Sequence, residues 1–228
     1  MSTFVKICGI TNESDALLSV ALGADALGFI FAPSRRQVTE KVVAEIVHQL
    51  PPSVMTFGVF VNERAETVAE VVNRIGLSGA QLHGNEGPAV TNFVSERVRF
   101  VVKSFPAGHS QLTNLSNYKI WATLVDGSVP GSGAVFDWSL VEGMAPDRRM
   151  ILAGGLNPGN VATALETVRP FGVDVTTGVE VEPGRKDPRK LKSFIEIAKT
   201  TGDSLGIGVH QEIGDGASGA PYNWEESE

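Results

Sequence analysis

Cysteine is almost absent from this chain: among 228 residues there is one, Cys8. A single thiol excludes an internal disulfide and leaves no basis for a cysteine-based zinc site. Basic residues are in deficit, with 19 Lys and Arg against 26 Asp and Glu, for a formal net charge of -7. That balance argues against nonspecific nucleic-acid binding, which needs clustered basic side chains to displace counter-ions. It leaves room for an anionic small ligand, because a local site can be positive on an acidic protein. No apolar run approaches the roughly 18 residues needed to cross a bilayer. Met1 to Lys6 leads straight into a strand-like segment without an apolar signal core, so the expectation is a cytoplasmic protein with no membrane partner. What remains is 42% hydrophobic and 20% charged, an ordinary globular composition on a length that suits one large domain.

Short apolar runs alternate with amphipathic stretches along most of the chain. Strands are expected at Phe4 to Cys8, Ala26 to Phe31, Met55 to Phe60, Gly79 to Leu82, Arg99 to Lys103, Ile120 to Val125, Met150 to Leu152 and Gly172 to Val175. Between them, Asn12 followed by Asp15 reads as a helix start and Gly23 as its end, with Leu17, Val20 and Ala21 as the buried stripe. Further helices are expected at Thr39 to Leu50, Ala65 to Ile75, Pro158 to Val168 and Pro188 to Lys199. Eight strand–helix units in one domain favour a closed (β/α)8 TIM barrel over residues 1–200, with an open doubly wound sheet as the alternative. From Thr201 to Glu228 the pattern gives way to a glycine-rich, acidic C-terminal tail. It reads as flexible, or as packed on the barrel or a neighbour through Tyr222 and Trp224.

A barrel of this kind carries its chemistry at the C-terminal ends of the strands. The polar residues there are Cys8, Asn62, His83, Ser104, Asp126, Gly154 with Gly155, and Thr176 with Thr177. Side chains alternate along a strand, so Val5 and Ile7 facing the helices turn Lys6 and Cys8 into the barrel. The same parity turns Gln81 and His83, Leu124 and Asp126, and Asp174 and Thr176 inward. Closure makes strands one and eight neighbours, which predicts a Lys6–Asp174 ion pair, since an interior lysine needs an opposite charge. The glycines after strands seven and eight, Gly154, Gly155 and Gly178, let backbone N–H groups reach an anion, although each run alone would also serve as a tight turn. Cys8 alone reads equally as a small buried side chain, Asp126 as a turn residue, His83 as a structural histidine, and Arg35 and Arg36 as a solvated pair. In a catalytic barrel one of those arginines would hold a carboxylate.

Seven segments in order carry a resemblance over residues 4–199. They are Val5 to Thr11, Gly23 to Phe29, Gly58 to Asn62, Gln81 to Gly84, Gly131-Ser132-Gly133 leading to Trp138, Leu152 to Pro158, and Gly172 to Glu180 followed by Pro183 to Asp187. Together they resemble the phosphoribosylanthranilate isomerase family of tryptophan biosynthesis. The resemblance implies an Amadori rearrangement of a phosphorylated small molecule without metal or organic cofactor, in a monomer or homodimer. It implies Cys8 as general base and Asp126 as general acid. Arg36, His83, Gly154, Gly155, Asp174, Thr177 and Gly178 follow as substrate-binding residues, with Arg36 on the anthranilate carboxylate and the glycine loops on the phosphate. Thr176-Thr177 stands where the family usually has two serines, and Gln37 where an aromatic residue or histidine is common. The loop Gly127 to Pro130 is poorer in glycine than usual. Two rival readings are a broader sugar-phosphate isomerase that also serves histidine biosynthesis, and a silent phospho-ligand-binding barrel. Cys8 in the first acid–base position speaks against the former, and retention of both Cys8 and Asp126 against the latter.

Overall fold

The structure is a computed structural model, and it describes residues 3–113, 115–127, 137–141 and 149–207. Eight parallel strands close on themselves in chain order: β1 Phe4–Cys8, β2 Ala26–Ile30, β3 Met55–Phe60, β4 Gly79–Leu82, β5 Phe100–Pro106, β6 Ala122–Asp126, β7 Met150–Leu152 and β8 Gly172–Val175. Pairing of β1 with β8, with Lys6 opposite Asp174, seals the ring and rules out the open sheet. The helices are α1 Glu13–Ala21, α2 Glu40–His48, α3 Ala65–Ile75, α4 Pro88–Ser95, α5 Val161–Val168 and α6 Pro188–Leu205. After β5 a single 3-10 turn, Ser110–Thr113, stands in place of a helix. A second short turn, Trp138–Leu140, lies between β6 and β7.

Strand parity sorts the core into two layers. Val5, Ile7, Leu27, Phe29, Val101, Val125, Leu152 and Val173 point outward and pack with α2, α3, α5 and α6. Phe4, Ala26, Phe57, Val102, Ala122, Leu124, Ile151 and Ala153 fill the interior, over an aromatic floor of Phe4, Trp121, Phe171, Phe57 and Phe100. Each valine, leucine, isoleucine or phenylalanine among them, fully buried, contributes about 1.5–3 kcal/mol. The apolar layers therefore carry the fold, and the upper mouth is free to hold polar groups.

Three expectations are corrected. The buried face of α1 is Asp15, Ala16 and Ser19, while Leu17 and Ala21 are exposed. Asp15 turns inward because its carboxylate accepts from the Asn12 side chain and from the Lys186 N–H, which an apolar periodicity does not register. The last helix runs to Leu205 rather than Lys199, stopped by Gly206 at φ 68, and Ile207 tucks back under it. Its buried face, Leu191, Phe194, Ile195 and Ala198, keeps helical spacing. Strand β5 is likewise longer than expected, reaching Pro106. The loop segment 128–136, Tyr222 and Trp224 lie outside the described residues.

Candidate active site

At the mouth, β1 ends on Cys8 with its side chain inward and buried. Two residues below it on the same face is Lys6, fully buried, whose Nζ lies 2.8 Å from Asp174 Oδ1 on the neighbouring strand. The ion pair expected from parity is present. Burial disfavours the Lys6 ammonium, but Asp174 and Cys8 outweigh it and raise its pKa above the ordinary lysine value. For Cys8 burial dominates and pushes the thiol up; Lys6 pulls it back, Asp174 pushes it up, and Lys186 and the Thr176 hydroxyl pull it back. Room for this arrangement comes from Gly28 on β2. A Cβ there would lie 2.7 Å from Cys8 Sγ and 3.0 Å from Lys6 Nζ.

A hairpin beyond β8, β9 Glu180–Glu182 and β10 Arg185–Lys186, folds a second set of charges under the same mouth. Lys186 Nζ donates to Cys8 O at 2.6 Å, Glu180 Oε1 at 3.2 Å and Thr176 O at 3.4 Å. Glu180 also grips Arg36, which donates from Nε at 2.9 Å to Oε1 and from Nη2 at 2.6 Å to Oε2. Arg36 Nη2 reaches Thr177 Oγ1 as well. Glu180 is buried, which alone would raise its pKa, yet Arg36 and Lys186 hold it below the usual glutamate range. Arg36 thus stands at the mouth on a fixed guanidinium, and Nη1 lies outside these contacts.

Across the mouth, β6 ends on the buried Asp126, whose Oδ1 accepts from the Gly127 N–H at 2.7 Å. His83, just past β4, brings Nε2 to 3.4 Å from Asp126 Oδ2. Its Nδ1 meets Gln81 Nε2 at 2.9 Å. The loop carrying His83 is fastened from outside the barrel. Lys103 Nζ donates to Leu82 O, Gly84 O and Glu86 Oε2, and Glu86 in turn accepts from the N–H groups of Asn62 and Gly84.

Gly154 and Gly155 follow β7 with φ of 82° and 67°. The Asn157 and Asn160 amides both donate to Gly155 O and so fix this turn. Thr177 and Gly178 open the short turn after β8. A Cβ on Gly178 would collide with the Leu156 carbonyl, so only glycine lets the two loops meet. Among the described residues the N–H groups of Gly154, Gly155 and Gly178 have no hydrogen-bond acceptor.

The structure therefore collects Cys8, Asp174, Arg36, Thr177 and Gly178 on one side of the mouth, with Asp126 at the end of β6, His83 just past β4 and the Gly154–Gly155 turn between. Asp174 faces Lys6 and is ion-paired with it. Glu180, Lys186, Lys103 and Glu86 went unassigned in the sequence. Their signal was faint: a charged pair flanking Pro183-Gly184, and a lysine ending an apolar strand. Among the described residues no group of three or more His, Cys, Asp or Glu is placed to hold a metal ion. In the same residues no helix is long and apolar enough to cross a membrane.

Comparison with known proteins fits this site. The family model for N-(5'-phosphoribosyl)anthranilate isomerase matches residues 5–197. The isomerase of Desulforudis audaxviator is 47% identical over 204 residues, covering 86% of this chain and 98% of the relative. That of Thermotoga maritima is 43% identical over 200 residues, covering 86% and 98%. A crystal structure of the T. maritima enzyme superposes with a TM-score of 0.81 at 40% identity, over 87% of this chain and 99% of the other. Another phosphoribosyl anthranilate isomerase structure, at TM-score 0.77 and 40% identity over the same shares, is a complex with reduced 1-(o-carboxyphenylamino)-1-deoxyribulose 5-phosphate. With barrel, mouth and near full-length identity in agreement, this chain belongs to the N-(5'-phosphoribosyl)anthranilate isomerase family.

Proposed function

We propose that the chain isomerises N-(5'-phosphoribosyl)anthranilate to 1-(o-carboxyphenylamino)-1-deoxyribulose 5-phosphate, with Asp126 as acid and Cys8 as base. The observation that carries this reading is the pairing of one thiol and one carboxyl on opposite walls of a mouth that also offers unpaired backbone donors. Asp126 gives its proton to the ribose ring oxygen, and the ring opens to a protonated imine. The positive nitrogen acidifies the proton on C2, and the Cys8 thiolate removes it to leave an enolamine. Tautomerisation then yields the ketone. Every proton moves between substrate, Cys8, Asp126 and solvent.

Arg36, set by Glu180 and Thr177, presents Nη1 to the anthranilate carboxylate. The N–H groups of Gly154, Gly155 and Gly178 receive the phosphate. His83 stands beside Asp126 and holds the carboxyl toward the ring. Each acid–base partner contributes about 10²–10⁴-fold. Turnover of the phosphoribosylated anthranilate, followed by loss of its fluorescence, tests the assignment. Cys8→Ala and Asp126→Asn should each lower kcat by about 10²–10⁴-fold. Full activity in either variant overturns that residue's role. A related structure, 41% identical to this chain with a TM-score of 0.76, shows monomers generated from the dimeric T. maritima isomerase. For this chain a monomer or homodimer is proposed, and sedimentation at two protein concentrations decides between them.

A further inference from the structure

Cys8 has to lose its proton in a place that favours the thiol, since burial raises its pKa. Five groups from three strands and two loops surround it. Lys6 lies on its own strand, Asp174 on β8, Lys186 on β10, Arg36 in the loop after β2, and the Thr176 hydroxyl just beyond β8. The cations are not equivalent. Lys186 spends its three donors on Cys8 O, Thr176 O and Glu180. Arg36 is gripped by Glu180 and Thr177. Lys6 donates to a single oxygen, Asp174 Oδ1, and its Nζ shares with Cys8 Sγ the space that Gly28 leaves empty.

We propose that Lys6, clamped by Asp174, is a positioning residue for the base: its ammonium is the counter-ion against which the Cys8 thiolate forms. The clamp gives the pair its direction. Asp174 keeps Lys6 protonated and pointed at the sulfur, while its own negative charge opposes the thiolate. Removing the lysine and removing the aspartate must therefore shift Cys8 in opposite senses. A merely structural role, in which either change loosens the seam between β1 and β8, would shift it one way only.

The inference rests on Cys8 as the base, but its test does not need turnover. Cys8 is the only cysteine in the chain, so the pH dependence of alkylation by iodoacetamide reports its thiolate and nothing else. Below the midpoint of the unaltered protein, Lys6→Gln should slow alkylation roughly tenfold, and Lys6→Arg should restore most of the rate. Asp174→Asn should speed it. Should Lys6→Gln fail to fold, the neutral pair Lys6→Gln with Asp174→Asn keeps the question open to measurement. It should alkylate more slowly than the parent, because the lysine acts on Cys8 more strongly than the aspartate. An unchanged profile in the folded lysine variant, or shifts of one sign in both single variants, overturns the proposal. Normal shifts in a chain that fails to turn over the phosphoribosylated anthranilate would count against the isomerase assignment alone.

Discussion

At the scale of single residues, the site divides into groups that face the mouth and groups that hold them. Glu180 belongs to the second kind, since it joins Arg36 to Lys186. Replacing it by glutamine leaves two buried cations without their carboxylate, a loss of about 3–5 kcal/mol. Glu180→Gln should therefore lower the urea midpoint and raise KM through a loosened Arg36, with a smaller effect on kcat. The folded pKa of Glu180 lies below its unfolded value. Its contribution is thus complete above about pH 4.3 and disappears as pH falls through the lower, folded pKa. Urea midpoints measured from pH 6 downward should show a steep acid limb that flattens in the variant, and an equally steep limb in both would refute the link. Parity along short strands made Cys8, Asp126 and the Lys6–Asp174 pair legible in sequence. Glu180 and Lys186 were not, because their partners lie 144 and 178 residues away and no local period marks them.

At the scale of elements, helix starts were the more readable signal and helix faces the less. Asn12 caps α1 as its sequence suggests, with Oδ1 accepting the Asp15 N–H at 2.9 Å. Asn12→Ala should cost about 1 kcal/mol, seen as a lower melting temperature with unaltered kcat. The buried face of α1 was misjudged because a polar contact to the β10 strand decided it, not hydrophobic spacing. The loops after β7 and β8 are a unit of another kind, interlocked at Gly178 against Leu156. Gly178→Ala forces them apart at a cost of about 1–3 kcal/mol. Phosphate binds there in the proposed function, so KM should rise in the variant while Cys8 alkylation stays as in the parent. A normal KM would detach these loops from the substrate.

At the scale of the molecule, the repeat of strand and helix was enough to call for a barrel, and closure is what the structure adds. The end of α6 belongs to that closure. Gly202 packs on Thr3, Lys199 Nζ donates to Thr3 O and to Asp25, and Ile207 is buried. A chain ended after Ile207 should melt several degrees above one ended after Thr200; equal melting of the two would discount these contacts. The Lys6–Asp174 pair also has a meaning for assembly. The strands of a barrel can in principle zip up out of step, and apolar side chains do little to forbid it. Sliding β8 by one residue along β1 would turn Asp174 to the outer layer and strand Lys6 in a dry interior. The two charges, 168 residues apart, therefore act as a key that admits one alignment of the first strand with the last. During synthesis that key cannot turn until β8 has left the ribosome, so the nascent chain carries Cys8 from the start and gains a closed mouth around it only with the final seam.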